Sequence, residues 1–314
     1  MNLKSSHQLK ALVVGDFMLD HYIYGQSDRM SPEANVPVIL PISDEYILGG
    51  AANVISNLQS LNVDVTCMGI LGDDQNGKKI NSLLKKIGIQ NSFFIISKDF
   101  PTTLKRRVYL SDKQFVRIDY EKKHDDIFSN QLIETFEKLD KNFDFIILSD
   151  YNKGVLNKKL IDHIIENVDV PVIVDPKKNN FNIYGRATII TPNLNELSLA
   201  TNINCDNKNN ILSACNKVLN ESKIKFIVAT MGDKGMMVVG ENFNKFISSI
   251  EIPNADVSGA GDTVVSSLSL SYIISNDIIY SSQVANIAAS IAVSKKGTYA
   301  VKLSELNDRI SNLI

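Results

Sequence analysis

The sequence predicts an α/β protein with a mostly parallel sheet, and three observations predict it. Short apolar runs rich in β-branched residues recur along the chain. Stretches with helical spacing lie between them, the alternation expected of strands joined by crossover helices. The runs also end on polar residues, which would line the carboxyl edge of such a sheet, where ligands bind.

ALVV (11–14), FIIL (145–148), VPVIV (170–174), ATII (187–190) and FIVA (226–229) read as strands covered on both faces. Between them, Ile80, Leu83, Leu84 and Ile87 fall at helical spacing, as do Leu160, Ile161, Ile164, Ile165 and Val168. Val54, Leu58 and Leu61 share one face of a further helix. The strands end in Gly15-Asp16, Ser149-Asp150, Asp175-Pro176, Thr191-Pro192-Asn193 and Thr230. A single Asp at a strand end is more often a turn or cap residue; a row of polar endings points to a binding cleft. Two regions break the rhythm, approximately 17–48 and 104–120. In the second, Val116, Ile118 and Tyr120 alternate with Arg117 and Asp119. Both read as antiparallel strands outside the main sheet, either a lid over the cleft or an edge hairpin.

At 314 residues the chain can bury one large core or two modest ones. Absence of a repeat or linker favours one domain over 1–314. A formal net charge of −2 gives no general reason to bind nucleic acid or an anionic membrane. Cys67, Cys205 and Cys215 are odd in number and lack C-x-x-C spacing, which fits a reducing compartment better than a disulfide scaffold. The histidines (His7, His21, His124, His163) form no metal-binding pair. The first apolar run stops at Gly15-Asp16, too short for a signal-peptide core, and no stretch nears the roughly 20 apolar residues of a membrane span. A cytoplasmic location follows.

The strongest chemical signal is Asp256-Val257-Ser258-Gly259-Ala260-Gly261-Asp262-Thr263, leading into a helix-like stretch through Ser275. The amides of Gly259, Ala260 and Gly261 at a helix start suit a phosphate. Asp262, beside them, suits acceptance of a hydroxyl proton. The alternative is a flexible turn with an acidic cap. In Leu48-Gly49-Gly50-Ala51-Ala52-Asn53, the glycines permit close approach of a substrate, and Asn53 offers a donor and an acceptor to sugar hydroxyls. Tight helix packing would explain the same residues. Asn193-Leu194-Asn195-Glu196 is a third motif, although Glu196 would also serve as an ordinary first-turn acid. No Walker P-loop occurs.

These motifs, in this order, resemble those of the PfkB carbohydrate kinase family over essentially the whole chain, from Gly15-Asp16 to Lys296-Gly297-Thr298. The resemblance implies a ribokinase-like three-layer α/β/α fold with a mostly parallel central sheet and a small β-sheet lid. It implies ATP and Mg²⁺, with Asp262 as base and the 259–261 amides as anion hole. Asp16, Asp20, Gly49, Gly50 and Asn53 would bind the sugar. Asn193 and Glu196 would organise Mg²⁺ and phosphate, Glu196 through water. Thr230, Gly232, Gly235 and Asn286 would bind the nucleotide, with Gly297 closing the pocket. A K⁺ ion near the anion hole is common in the family, and no motif here demonstrates one.

Met18-Leu19-Asp20, Arg29 to Ala34, Ser149 to Gly154, Asp175-Pro176-Lys177 and Pro101 to Arg107 resemble the heptose 7-phosphate kinases of this family. Lys105 and Arg107 would share one side of a strand and could clamp the distal phosphate; a solvated basic strand is the alternative. Asn35, Ser258 and Lys178 depart from the pattern, where Pro, Thr and Gly are usual. The implied reaction is phosphorylation of D-glycero-β-D-manno-heptose 7-phosphate at O1, on a route to nucleotide-activated heptose for surface polysaccharide. A kinase for a fructose or tagatose phosphate, or a non-catalytic regulator, are the competing readings. The H-x-G-H of a nucleotidyltransferase, often fused to such kinases, does not occur. Exposed lid strands would suit a homodimer.

Overall fold

The computed structural model describes residue 3 and residues 7–110, 113–124 and 126–313. β1 (Lys10–Gly15) leads directly into the long antiparallel pair β2 (Phe17–Met30) and β3 (Pro37–Gly50), then α1 (Ala51–Ser60). β4 (Asp64–Gly72), α2 (Gln75–Lys86) and β5 (Ser92–Ser97) follow, then a second antiparallel pair, β6 (Thr103–Leu110) and β7 (Lys113–Tyr120). Next come α3 (Ser129–Glu137), β8 (Phe145–Ser149), α4 (Lys158–Glu166), β9 (Val172–Asp175) and β10 (Ile189–Ile190). The chain finishes with α5 (Leu194–Thr201), α6 (Lys208–Ser222), β11 (Phe226–Thr230), β12 (Met236–Gly240), β13 (Phe243–Ile247), α7 (Ala260–Ser275), α8 (Ile278–Val293) and α9 (Leu303–Leu313).

Among the described residues the main sheet runs β13-β12-β11-β10-β9-β8-β1-β4-β5, parallel from β5 to β11 and antiparallel through β12 and β13. Successive side chains of a strand face opposite ways, so β1 divides its apolar residues between two cores. Ala11 and Val13 pack with Val54 of α1, Ile80 of α2, Leu268 of α7, Ala288 of α8 and Leu306 of α9. Leu12 and Val14 pack on the other side with Phe136 of α3, Ile161 of α4, Leu197 of α5 and Ala214 of α6. This is the expected three-layer arrangement. β1 is flanked by β4 on one side and β8 on the other. The strand order therefore reverses at β1, and its carboxyl end is the crevice where an open α/β sheet receives ligands.

Helix α7 is buried on every side, yet it carries serines where an amphipathic helix would carry a polar face. Three of the hydroxyls are satisfied inside the helix: Ser266, Ser267 and Ser269 donate to the carbonyls of Asp262, Thr263 and Val265 at 2.7, 2.6 and 2.6 Å. Back-bonding of this kind lets a small polar side chain enter a core without an orphaned donor. It also keeps α7 slim, so that Thr263 reaches Asn57 of α1 at 3.0 Å.

The second sheet has the order β3-β2-β6-β7. It spans the two segments that break the α/β rhythm; residues 111 and 112 lie outside the described residues. One expectation changes. β2–β3 and β6–β7 are antiparallel, but the seam between β2 and β6 is parallel, with Asp20 opposite Lys105 and Tyr22 opposite Arg107. Both pairs leave the main body in the same direction, so their inner strands meet side by side. Asp20, Tyr22, Lys105 and Arg107 thus share the face turned to the cleft.

Candidate active site

Asp262 occupies the first turn of α7, next to the crevice at the end of β1. Its carboxylate accepts from Asn53 Nδ2 at 2.6 Å on one oxygen and from the Tyr151 hydroxyl at 2.8 Å on the other. Burial pushes this carboxyl up to about 6, and the Asp20 charge pushes the same way. The two hydrogen bonds and Lys105 oppose that shift, because they favour the charged form. A carboxylate so placed can take a proton from a hydroxyl held in the cleft.

The turn before α7 needs glycine at 259. Its φ is +74°, and a Cβ there would lie 2.8 Å from Asn53 Nδ2. Gly261 faces open space instead. The Ala260 amide donates to the Val257 carbonyl at 3.2 Å, so in this structure it closes the turn and is not aimed at an anion. The loop is tied across to the end of α8: the Asp256 carboxylate accepts from the amides of Ser258 at 3.0 Å and Gly297 at 2.7 Å. Those amide bonds outweigh the desolvation of Asp256 and hold its carboxyl below the ordinary range.

The Asp16 carboxylate is buried and accepts from the backbone amides of Tyr151 (2.8 Å), Lys153 (2.9 Å) and Val155 (3.1 Å). It anchors the loop after β8 through these bonds. The carboxylate of β2 on this side is Asp20, paired with Arg107 at 2.7 Å. Gly49 and Gly50 are packed closely against the protein. A Cβ on Gly49 would sit 2.7 Å from Asp20 Oδ2, and one on Gly50 would sit 2.5 Å from the Asp16 carbonyl. The Lys105 ammonium stands 5.5 Å from the centre of the Tyr151 ring, and burial lowers its pKa. Arg107 lies over the ring of Tyr22.

The expected nucleotide residues form one rim. Asn193 caps α5, and its amide donates to Glu196 Oε2 at 2.9 Å in a complete capping box. The other Glu196 oxygen takes Lys177 Nζ at 2.6 Å. The capping role expected of an ordinary first-turn acid is therefore real, and an ion pair is added to it. Asn193 bridges to Thr230 at the end of β11. Gly235, with φ at +101°, packs against the backbone of Ile247 and Ser249, and Asn286 of α8 donates to the Ser248 carbonyl at 2.8 Å. Gly232 has nothing near its missing side chain. A cavity of about 360 Å³ is lined by Tyr151, Lys153, Lys177, Asn193 and Glu196 among others. Asp175, at the end of β9, is raised well above the usual carboxylate range by burial and by the charges of Asp262 and Glu196. Asp175 and Glu196 are the carboxylates suited to a hydrated divalent ion carried on phosphates.

Sequence reasoning missed Tyr151 and the Lys177–Glu196 pair as site features. Tyr151 sits in a segment read only for its likeness to known kinases, and nothing local marks its ring as reaching a residue 111 positions away.

Comparison with known proteins adds an independent view. Residues 8–305 match the profile described as pfkB family carbohydrate kinase. The chain is 36% identical over 304 residues to the bifunctional protein HldE of Campylobacter curvus, covering 96% of this chain and 65% of that protein. For the bifunctional protein HldE of Haemophilus influenzae the figures are 36% over 306 residues, 96% and 64%. The chain thus spans slightly less than two thirds of these relatives. Phosphofructokinase-2 from Escherichia coli, solved in complex with potassium, superposes with a TM-score of 0.82 at 19% identity, covering 98% and 99% of the two chains. Arabidopsis thaliana ribokinase, solved with ribose and ATP, gives 0.79 at 21%, covering 97% and 99%. At these identities the superpositions establish the ribokinase-like fold.

Proposed function

Because the chain belongs to the pfkB family of carbohydrate kinases, we propose that it transfers the γ-phosphoryl group of ATP to O1 of D-glycero-β-D-manno-heptose 7-phosphate, giving the 1,7-bisphosphate. The observation that carries this reading is the Asp262 carboxylate, held by Asn53 and Tyr151 at the start of α7 and faced by Asp20, Lys105 and Arg107. The heptose assignment rests on the motifs shared with heptose 7-phosphate kinases. The reading treats residues 1–314 as one kinase domain with the second sheet as its lid.

In this mechanism the O1 hydroxyl lies against Asp262. As O1 attacks the γ-phosphorus in line with the leaving ADP, its proton passes to the carboxylate. The amides of Gly259 and Gly261 face the charge that develops on the transferred group. Glu196 and Asp175 would hold Mg²⁺ brought with ATP, which would supply charge neutralisation on the phosphates. Thr230, Gly232, Gly235 and Asn286 cradle the nucleoside. Asp20 accepts from sugar hydroxyls, while Lys105 and Arg107 take the distal phosphate. Arg107 keeps donors for this beside its bond to Asp20.

The test is an ADP-release assay with Mg·ATP, comparing the heptose 7-phosphate with fructose 6-phosphate, fructose 1-phosphate, tagatose 6-phosphate and ribose. Preference for the heptose phosphate by an order of magnitude or more is expected. Preference for another sugar overturns the substrate, and silence on all five with ATP still bound overturns the kinase reading. Replacing Lys105 and Arg107 together by Ala should raise KM for the phosphosugar by about 100-fold or more, since each charge-assisted contact contributes about 1.5–3 kcal/mol. An unchanged KM would sink the clamp. The same reading places the protein in the cytoplasm and pairs two copies through the lid, whose edge strands β3 and β7 expose Leu40, Ile42, Phe115 and Ile118. A monomer by light scattering would contradict the pairing.

A further inference from the structure

We infer that Tyr151 is a positioning residue that aims the base and keeps it charged, and that Asp16 holds Tyr151 in place. The inference rests on the reading of Asp262 as the base. Tyr151 is gripped at both ends. Its backbone amide donates to Asp16 Oδ2 at 2.8 Å, beside the amides of Lys153 and Val155 on the same carboxylate. Its hydroxyl donates to Asp262 Oδ1 at 2.8 Å, while Lys105 stands over its ring. Burial and the adjacent Asp262 charge push the phenol well above its ordinary range, so it acts as a fixed proton donor.

Asn53 alone would leave the carboxylate free to swing about its bond to Cβ. A second donor on the other oxygen fixes the plane and leaves one lone pair on each oxygen for a substrate hydroxyl. Both donors bind the ionised form more strongly than the neutral acid. The charged and titratable groups acting on this carboxyl are Asp20 from β2, Lys105 from β6, Asp175 from β9 and Tyr151 itself. Asp20 opposes ionisation of Asp262 and Lys105 favours it, and the Tyr151 bond adds to the side of Lys105.

Tyr151→Phe keeps the ring, the contact with Lys105 and the amide bond to Asp16, and deletes only the hydroxyl. Carbon-13 NMR of protein labelled at aspartate carboxyls reads Asp262 directly, with its signal identified by its loss in Asp262→Asn. The titration midpoint of Asp262 should move up by about one to two pH units in Tyr151→Phe, the equivalent of one hydrogen bond to a charged group. The acid limb of kcat should move with it, while kcat above pH 8 stays within about tenfold of wild type. An unmoved midpoint overturns the inference, whether activity falls evenly at all pH or KM for the sugar alone rises. The titration needs no substrate, so failure of the kinase reading would show separately, as wild-type protein inactive with every sugar.

Discussion

Asp262→Asn is expected to lower turnover by about 10³-fold or more while Mg·ATP binding, followed by titration calorimetry, stays within about twofold of wild type. A positioned general base contributes typically 10²–10⁴-fold, and no other residue in the crevice is placed to substitute. Asp20 is engaged by Arg107, and Asp175 is raised well above the usual carboxylate range by burial and its acidic neighbours. Asn is close in shape, and the Tyr151 hydroxyl can turn to accept from the new amide. Stability should therefore survive. Its pH dependence has a definite sign. The folded pKa of Asp262, about 6, lies above the value near 4 of an unfolded chain. Between those values the native state keeps a proton that the unfolded state has lost, so this group makes the fold less stable as pH rises through the window. Asp262→Asn should remove that decline, and its melting temperature at pH 7 should equal or exceed that of wild type. Turnover near normal would remove Asp262 as the base; a melting temperature many degrees lower would mean that the loss of activity reflects unfolding.

The second large effect is on the fold itself. Asp16→Ala should lower unfolding free energy by about 3–5 kcal/mol in urea denaturation, because it deletes the acceptor for three backbone amides inside the protein. Asp16→Asn should fall between, since its amide group can no longer accept from one of the donors. Both variants should also lose turnover, as the loop carrying Tyr151 loses its anchor. If Asp16→Ala proved as stable as wild type and only raised KM for the sugar, Asp16 would be assigned as a ligand of the substrate.

The fold was legible because its signals are local. Apolar runs and helical spacing mark β1, β8, β9, β11, α2 and α4, and the polar endings of those strands lie along one edge of the sheet. ATII shrinks to a two-residue strand because Pro192, lacking an N–H, follows closely. Within the site, the run around Gly259 announced Asp262 through backbone chemistry, which is also local. The two aspartates at the start of the chain were not separable in this way. Asp16 falls between β1 and β2, where the chain passes from one sheet to the other, so strand alternation cannot say which way it faces. Likewise, a basic strand shows that Lys105 and Arg107 share a face but not that β6 lies parallel to β2. Pairing partners of that kind are set by the whole topology.

The distance along the chain between the groups that meet at the base has a consequence for how the protein comes into being. Asn53 and Asp262 are separated by 209 positions, and Tyr151 and Asp262 by 111. During synthesis the first half of the molecule can build β1, β4 and the lid, yet the proposed base, Asp262, is not in place until α7 emerges and docks against α1. Contacts of such long sequence separation are entropically late to form. A half-made chain therefore lacks the two hydrogen bonds that hold Asp262, and under the proposed reading phosphoryl transfer waits until α7 is in place.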